Sequence, residues 1–131
     1  MLVPSLIAIS LGASLGACLR WWLGLKLNPL LPSLPLGTLA ANLIGGLLVG
    51  MAFEYFARHA DTAPELRLAV TTGFLGGLTT FSTFSVETAQ LLLRGETFWA
   101  VLTIVSHLAG SLLLTMLGIG LARWWLAGAT P

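Results

Sequence analysis

Between Thr79 and Ser85 the chain carries five hydroxyl side chains in seven residues. Phe81 and Phe84 stand three apart among them, and Glu87 closes the run "GGLTTFSTFSVE" (76–87). Hydroxyl groups donate hydrogen bonds, and so does the side-chain amide of Asn42, which sits in another uncharged stretch. The edge of a phenylalanine ring is the positive part of its quadrupole. Donors and ring edges along a dry passage suit a small anion. No Lys or Arg lies in the middle of any apolar stretch. A full positive charge there would hold an anion too tightly, whereas conduction needs several weak sites. The backbone of the same run suits a second chemistry. Consecutive glycines and many hydroxyl and β-branched residues make a poor helix interior. Carbonyls freed by a break in a helix at membrane depth suit a cation such as Na⁺.

Polar residues elsewhere recur at helical spacing, three or four apart. Thr103, His107, Ser111 and Thr115 form one such stripe, Thr38 and Asn42 a second, and Thr80, Thr83 and Glu87 a third. A single Ser or Thr ordinarily bonds the carbonyl four residues back in its own helix. Asn42 cannot satisfy its amide so locally and needs a partner or water. Glu87 also reads as an interfacial residue at a helix end. His107 taken alone is a satisfied polar residue more often than a ligand. His59 falls in a loop, so no His pair shares a helix face for metal binding.

The elements that must position these residues follow from composition. Only 8% of the 131 residues are charged, against about 25% in a soluble domain, and the mean hydropathy is +0.93. Uncharged stretches run over 2–19, 30–53, 68–86 and 97–122. A helix needs about 20 apolar residues to cross roughly 30 Å of hydrocarbon. The chain therefore reads as one all-α membrane domain of four transmembrane helices, over about 4–25, 36–57, 64–93 and 97–125. The third is too long for one straight span and is broken mid-membrane at the polar run. Pro29, Pro32 and Pro35 punctuate the first connection. Thr62 and Glu65 have capping-box spacing, with Pro64 between them, and predict the start of the third helix. Five tryptophans, Trp21, Trp22, Trp99, Trp124 and Trp125, fall near span ends, where an aromatic belt belongs.

Lys and Arg normally gather on the cytoplasmic side. Here Arg58, Arg67 and Arg123 lie on the amino-terminal side and Arg20, Lys26 and Arg94 on the other, three against three. The balance predicts dual topology, the same chain inserting both ways. Gly12 and Gly16, like Gly46 and Gly50, have the GxxxG spacing that lets helix backbones approach closely in lipid. Four short helices with glycine faces enclose little interior, which predicts an oligomer. The net charge of +1 gives no case for nucleic-acid binding, and the lone Cys18 excludes a disulfide framework. No nucleophile–base pair or metal trio is visible, so an enzyme is not expected.

Three pieces, "GASLGACLR" (12–20), "GTLAANLIGGLLVG" (37–50) and "TTGFLGGLTTFSTFSVE" (71–87), resemble the Fluc (CrcB) family of fluoride channels in order and over nearly the whole chain. The resemblance implies an antiparallel, dual-topology homodimer in the bacterial inner membrane, surrounded by lipid, with two fluoride pores. It implies that Phe81 and Phe84 line the pores beside Asn42, and that a polar track runs through Thr38, Ser82, Thr83 and Ser111. Glu87 matches the acid at the end of the family's third-helix motif, and Arg20 the basic residue at a vestibule. A structural Na⁺ at the dimer centre is implied, held by backbone carbonyls of Gly76 and Thr79. The expected role is passive export of F⁻, which relieves fluoride toxicity. A small dual-topology multidrug or cation transporter is a rival, but it wants a carboxylate within its first helix, and 2–19 has none. A structural membrane subunit is another rival, in which the polar stripes act as glue between helices.

Overall fold

The computed structural model describes residues 2–128, and every regular element in them is helical. Helix α1 spans Leu2–Leu27 and ends in a single tight turn, Asn28–Leu30. Helix α2 spans Leu36–Arg58, helix α3 residues 64–78, helix α4 Phe81–Leu93 and helix α5 Thr97–Gly128. Three of these, α1, α2 and α5, are long and apolar enough to cross a membrane. The stretch expected as the third span is divided between α3 and α4. Two extended residues separate them, Thr79 (φ −81°, ψ 152°) and Thr80 (φ −150°, ψ 118°).

Local chemistry accounts for the helix ends. Pro29 stops α1, because it has no N–H to donate to the carbonyl four residues back, and the chain tightens into the Asn28–Leu30 turn instead. Pro35 precedes α2 and offers no side-chain cap. Asn28 supplies one from the preceding turn: its Oδ1 accepts from Gly37 N at 2.7 Å and Thr38 N at 3.3 Å. Helix α4 ends on Arg94 and Gly95, the latter at φ +75°. There Glu96 N donates to Leu91 O and Gly95 N to Leu92 O, the paired bonds that a left-handed glycine closes at a helix C-terminus.

The capping box expected at Thr62 and Glu65 is not formed. The chain enters α3 at Ala63, without a side-chain cap, and Pro64 follows in the first turn. Thr62 instead turns back, its N and Oγ1 both donating to His59 O, at 3.1 and 2.8 Å. Its hydroxyl is thereby committed to the loop. Further along, residues Ala69–Leu75 of α3 form a wider turn with i→i+5 hydrogen bonding, a local form often found at functional sites.

Glycines decide the packing. Helix α1 lies against α3, and α2 against α5. A Cβ on Gly12 would strike Ala69 O, and one on Gly16 would strike Phe74 O. A Cβ on Gly46 would lie 3.0 Å from Ser111 O, and one on Gly50 would strike Thr115 O. Both GxxxG pairs are thus points of close backbone approach. The interior is small, centred on Leu23, Ala41 and Leu78 with Leu19, Leu27 and Phe74 around them. Large apolar side chains such as Leu11, Leu112, Leu113 and Met116 are exposed instead, as expected of a bundle that faces lipid.

At the end of α2 the buried Glu54 receives Arg58 Nε at 2.8 Å and Arg123 Nε of α5 at 3.0 Å. Arg67 donates to Phe56 O at 3.2 Å, and its guanidinium lies 5.3 Å from the Phe56 ring centroid. All three cations of this side therefore have partners. The Glu54–Arg58 spacing of one helical turn was visible in the sequence. The bond to Arg123 was not.

Candidate functional site

The interruption at Thr79 and Thr80 organises the site. Once the backbone leaves the helix, the peptide groups of Thr80 need partners, because unsatisfied backbone groups in apolar surroundings are costly. Asn42 of α2 supplies both. Its Nδ2 donates to Thr80 O at 2.9 Å, and its Oδ1 accepts from Thr80 N at 2.7 Å. Thr80 then starts α4: its Oγ1 accepts from Thr83 N at 3.2 Å and donates to Thr83 Oγ1 at 3.0 Å. Arg20 of α1 reaches the other side of the interruption, where its Nε donates to Gly77 O at 3.0 Å.

Two cavities meet here. One, of about 540 Å³, is bounded by Asn42, Phe81, Phe84 and Ser111, and by Gly76 and Thr79 at the end of α3. The other, of about 350 Å³, is bounded by Arg20, Thr38 and Thr83. Thr80 lines both. Glu87 is joined to the second cavity through Thr38, whose Oγ1 donates to Glu87 Oε1 at 2.6 Å. Glu87 Oε2 is buried and has no partner among the described residues. Ser82 is exposed, its Oγ 3.3 Å from Thr80 Oγ1, and it lines neither of these cavities. Asn42 and Ser111 thus lie on one compartment and Thr38 and Thr83 on the other.

The two phenylalanines have different surroundings. Their rings meet edge to face, 5.5 Å apart at 63°. Phe84 is only 7% exposed, whereas Phe81 is 73% exposed in the single chain. Phe84 stacks on His107, with centroids 4.6 Å apart and planes 28° apart. Asn42 Nδ2 lies 3.0 Å from His107 Nδ1. His107 is thus part of the site, which its sequence context alone did not establish. The recurrence of polar residues every four positions along α5 was the available signal. Thr103, one turn before it, is fully buried. Thr115 bonds across to Gly46 O at 3.0 Å, holding α5 to α2. By contrast Ser85 and Thr88 donate to carbonyls four residues back, Phe81 O and Phe84 O, both at 2.8 Å. Of the hydroxyls in 79–85, Ser85 is therefore engaged with its own helix, and so is Thr79, whose Oγ1 donates to Leu75 O at 2.9 Å.

Residues 7–119 match the family model described as CrcB-like protein, Camphor Resistance (CrcB). Curated relatives match over nearly their whole length. The chain is 62% identical over 120 residues to the "Fluoride-specific ion channel FluC" of Nitrosospira multiformis, covering 92% of this chain and 94% of that protein. The protein of the same name from Pseudomonas paraeruginosa is 58% identical over 122 residues, covering 93% and 96%. That of Acinetobacter baumannii is 54% identical over 123 residues, covering 94% and 96%.

Proposed function

The chain belongs to the CrcB-like family, and from that premise we infer that it is a fluoride-specific ion channel. It is an integral protein of the bacterial inner membrane and not an enzyme. The observation that carries this reading is the 62% identity, over nearly the full length of both chains, to a fluoride-specific channel. The site chemistry agrees with it. Fluoride is small and strongly hydrated, so a pore must replace its water with close donors. The cavities at the interruption offer hydroxyls and ring edges, with Arg20 on the wall of the smaller one and no Lys or Arg on that of the larger. Export is passive: HF enters cells neutral and dissociates inside, and the membrane potential drives F⁻ out through the channel.

In this reading Phe81, Phe84, Asn42 and Ser111 line the pore on one side of Thr80. Thr38, Thr83 and Glu87 continue it on the other, with Arg20 at the vestibule and Ser82 beside the track. The functional unit is an antiparallel homodimer of dual topology with two pores, its interrupted helix lying at mid-membrane. The exposed Phe81 ring and the balanced Lys and Arg support that assembly. A structural Na⁺ fits the end of α3. Gly76 has no side chain and so bounds the larger cavity with backbone alone, and the extended Thr79 turns its carbonyl out of the helical direction. Carbonyl oxygens are hard, neutral ligands suited to Na⁺. Two from one chain are too few to enclose it, so a second copy supplies the rest.

Purified protein in liposomes loaded with fluoride is expected to release it on addition of a potassium ionophore, without proton coupling. Absence of efflux from correctly folded protein contradicts the channel reading, and obligatory proton coupling favours a transporter. Dual topology is read separately. Reporter fusions at the carboxyl terminus should show both orientations in one cell population. Two added arginines in the 58–67 loop should drive that side cytoplasmic and lower efflux, as antiparallel partners become scarce. A single orientation in the parent protein rules dual topology out.

A further inference from the structure

Asn42 was expected to offer its amide hydrogens to the ion. The geometry gives it another task. The orientation of the amide is settled by Thr80: a backbone N–H can only donate and a carbonyl can only accept. Oδ1 must therefore face Thr80 N, at 2.7 Å, and Nδ2 must face Thr80 O, at 2.9 Å. Nδ2 carries two hydrogens. One goes to Thr80 O, and the other points to His107 Nδ1, 3.0 Å away. Both amide hydrogens are thus engaged within the chain.

The consequence falls on the imidazole. A donor facing Nδ1 requires Nδ1 to accept, so it carries no proton. The ring is then neither imidazolium, in which both nitrogens donate, nor the Nδ1–H tautomer. It holds its proton on Nε2. His107 is 3% exposed, and Nε2 is buried with no partner among the described residues. A buried donor left unpaired is costly. This ring also lies on the wall of the larger cavity and stacks on Phe84.

We propose that Asn42 is a positioning residue which locks His107 in its Nε2–H tautomer, so that His107 rather than Asn42 donates to the passing anion. The amide acts through two others: it clamps Thr80 at the interruption and orients the imidazole. A neutral N–H suits a conducting site, because it binds an anion without the full charge of an imidazolium. The proposal rests on the fluoride-channel reading for the identity of the anion. The tautomer itself does not depend on that reading.

Nitrogen NMR of histidine-labelled protein in liposomes tests it, with His59→Gln assigning the two histidines. The parent should show His107 neutral, protonated on Nε2 and unprotonated on Nδ1. Addition of sodium fluoride should move the Nε2–H resonance, where equimolar sodium chloride does not. Asn42→Leu should release the ring into a mixture of tautomers. In fluoride efflux, His107→Leu should lower the rate by roughly tenfold to a hundredfold, the worth of one charge-assisted hydrogen bond. His107→Gln places an amide nitrogen near the Nε2 position and should recover much of that loss. His107→Asn, whose amide reaches only the Nδ1 position, should not. A parent His107 protonated on Nδ1, or on both nitrogens, overturns the lock. An unmoved Nε2–H signal in fluoride, or His107→Leu efflux at the parent rate, overturns the donor role. If the parent passes no fluoride at all, the channel reading fails while the tautomer measurement still decides the lock.

Discussion

Phe84→Leu is expected to leave the protein helical and monodisperse in detergent while cutting fluoride efflux by roughly tenfold to a hundredfold. Phe84 is buried, but it is not a packing residue alone. Its ring stacks on His107 and meets the Phe81 ring edge to face. Leucine keeps an apolar side chain of roughly similar bulk, a class of swap that usually costs less than about 1.5 kcal/mol of stability. It has no positive ring edge, and it removes the surface against which the imidazole stacks. The fold therefore survives while the proposed path loses a site for the ion. Phe81→Leu should lower efflux in the same direction with still less effect on the fold, since that ring is mostly exposed in the single chain. Val86→Ile, on the exposed side of the same helix, is the control. Efflux at the parent rate in both phenylalanine variants, with the fold intact, would reduce the rings to packing.

Gly50→Val should abolish folding rather than conduction. A Cβ at Gly50 falls on the carbonyl oxygen of Thr115, and the neighbouring contact is backbone as well, Ile119 N at 3.1 Å. Neither can swing aside as a side-chain tip can. Overpacking typically costs about 1–3 kcal/mol, occasionally more, and here the clash sits where α2 and α5 approach backbone to backbone. Gly118→Val should fail equally from the facing helix, where the added Cβ falls on Leu47 O. Gly120→Ala should be tolerated, because nothing lies within 4 Å of a Cβ there, and alanine favours the helix by about 1 kcal/mol over glycine. Size-exclusion profiles and thermal melts of the three variants check this. A monodisperse Gly50→Val protein with a parental melt would mean that α2 and α5 do not approach as described.

The class of this protein was legible in its amino acids, because that class depends on local, additive quantities. Uncharged runs of sufficient length, prolines between them and almost no charge within them leave helices in lipid as the physical outcome. The sequence also marked where helices approach, since a glycine pair one turn apart removes side chains from one face. The weak helix in "GGLTT" was legible from propensity. What periodicity could not supply was rotation and depth of one helix relative to another. Gly12 and Gly16 mark a groove without saying that α3 fills it. Asn42 demands a partner without naming Thr80, 38 residues away. Glu87 and Thr38 are 49 residues apart, and Glu54 and Arg123 are 69 apart. Phe81 and Phe84 look equivalent on a helical repeat, yet the structure buries one on His107 and leaves the other exposed. Those outcomes belong to the tertiary structure because a hydrogen bond acts over about 3 Å, so a fraction of a turn in helix rotation decides whether each polar residue finds a partner or keeps an open donor.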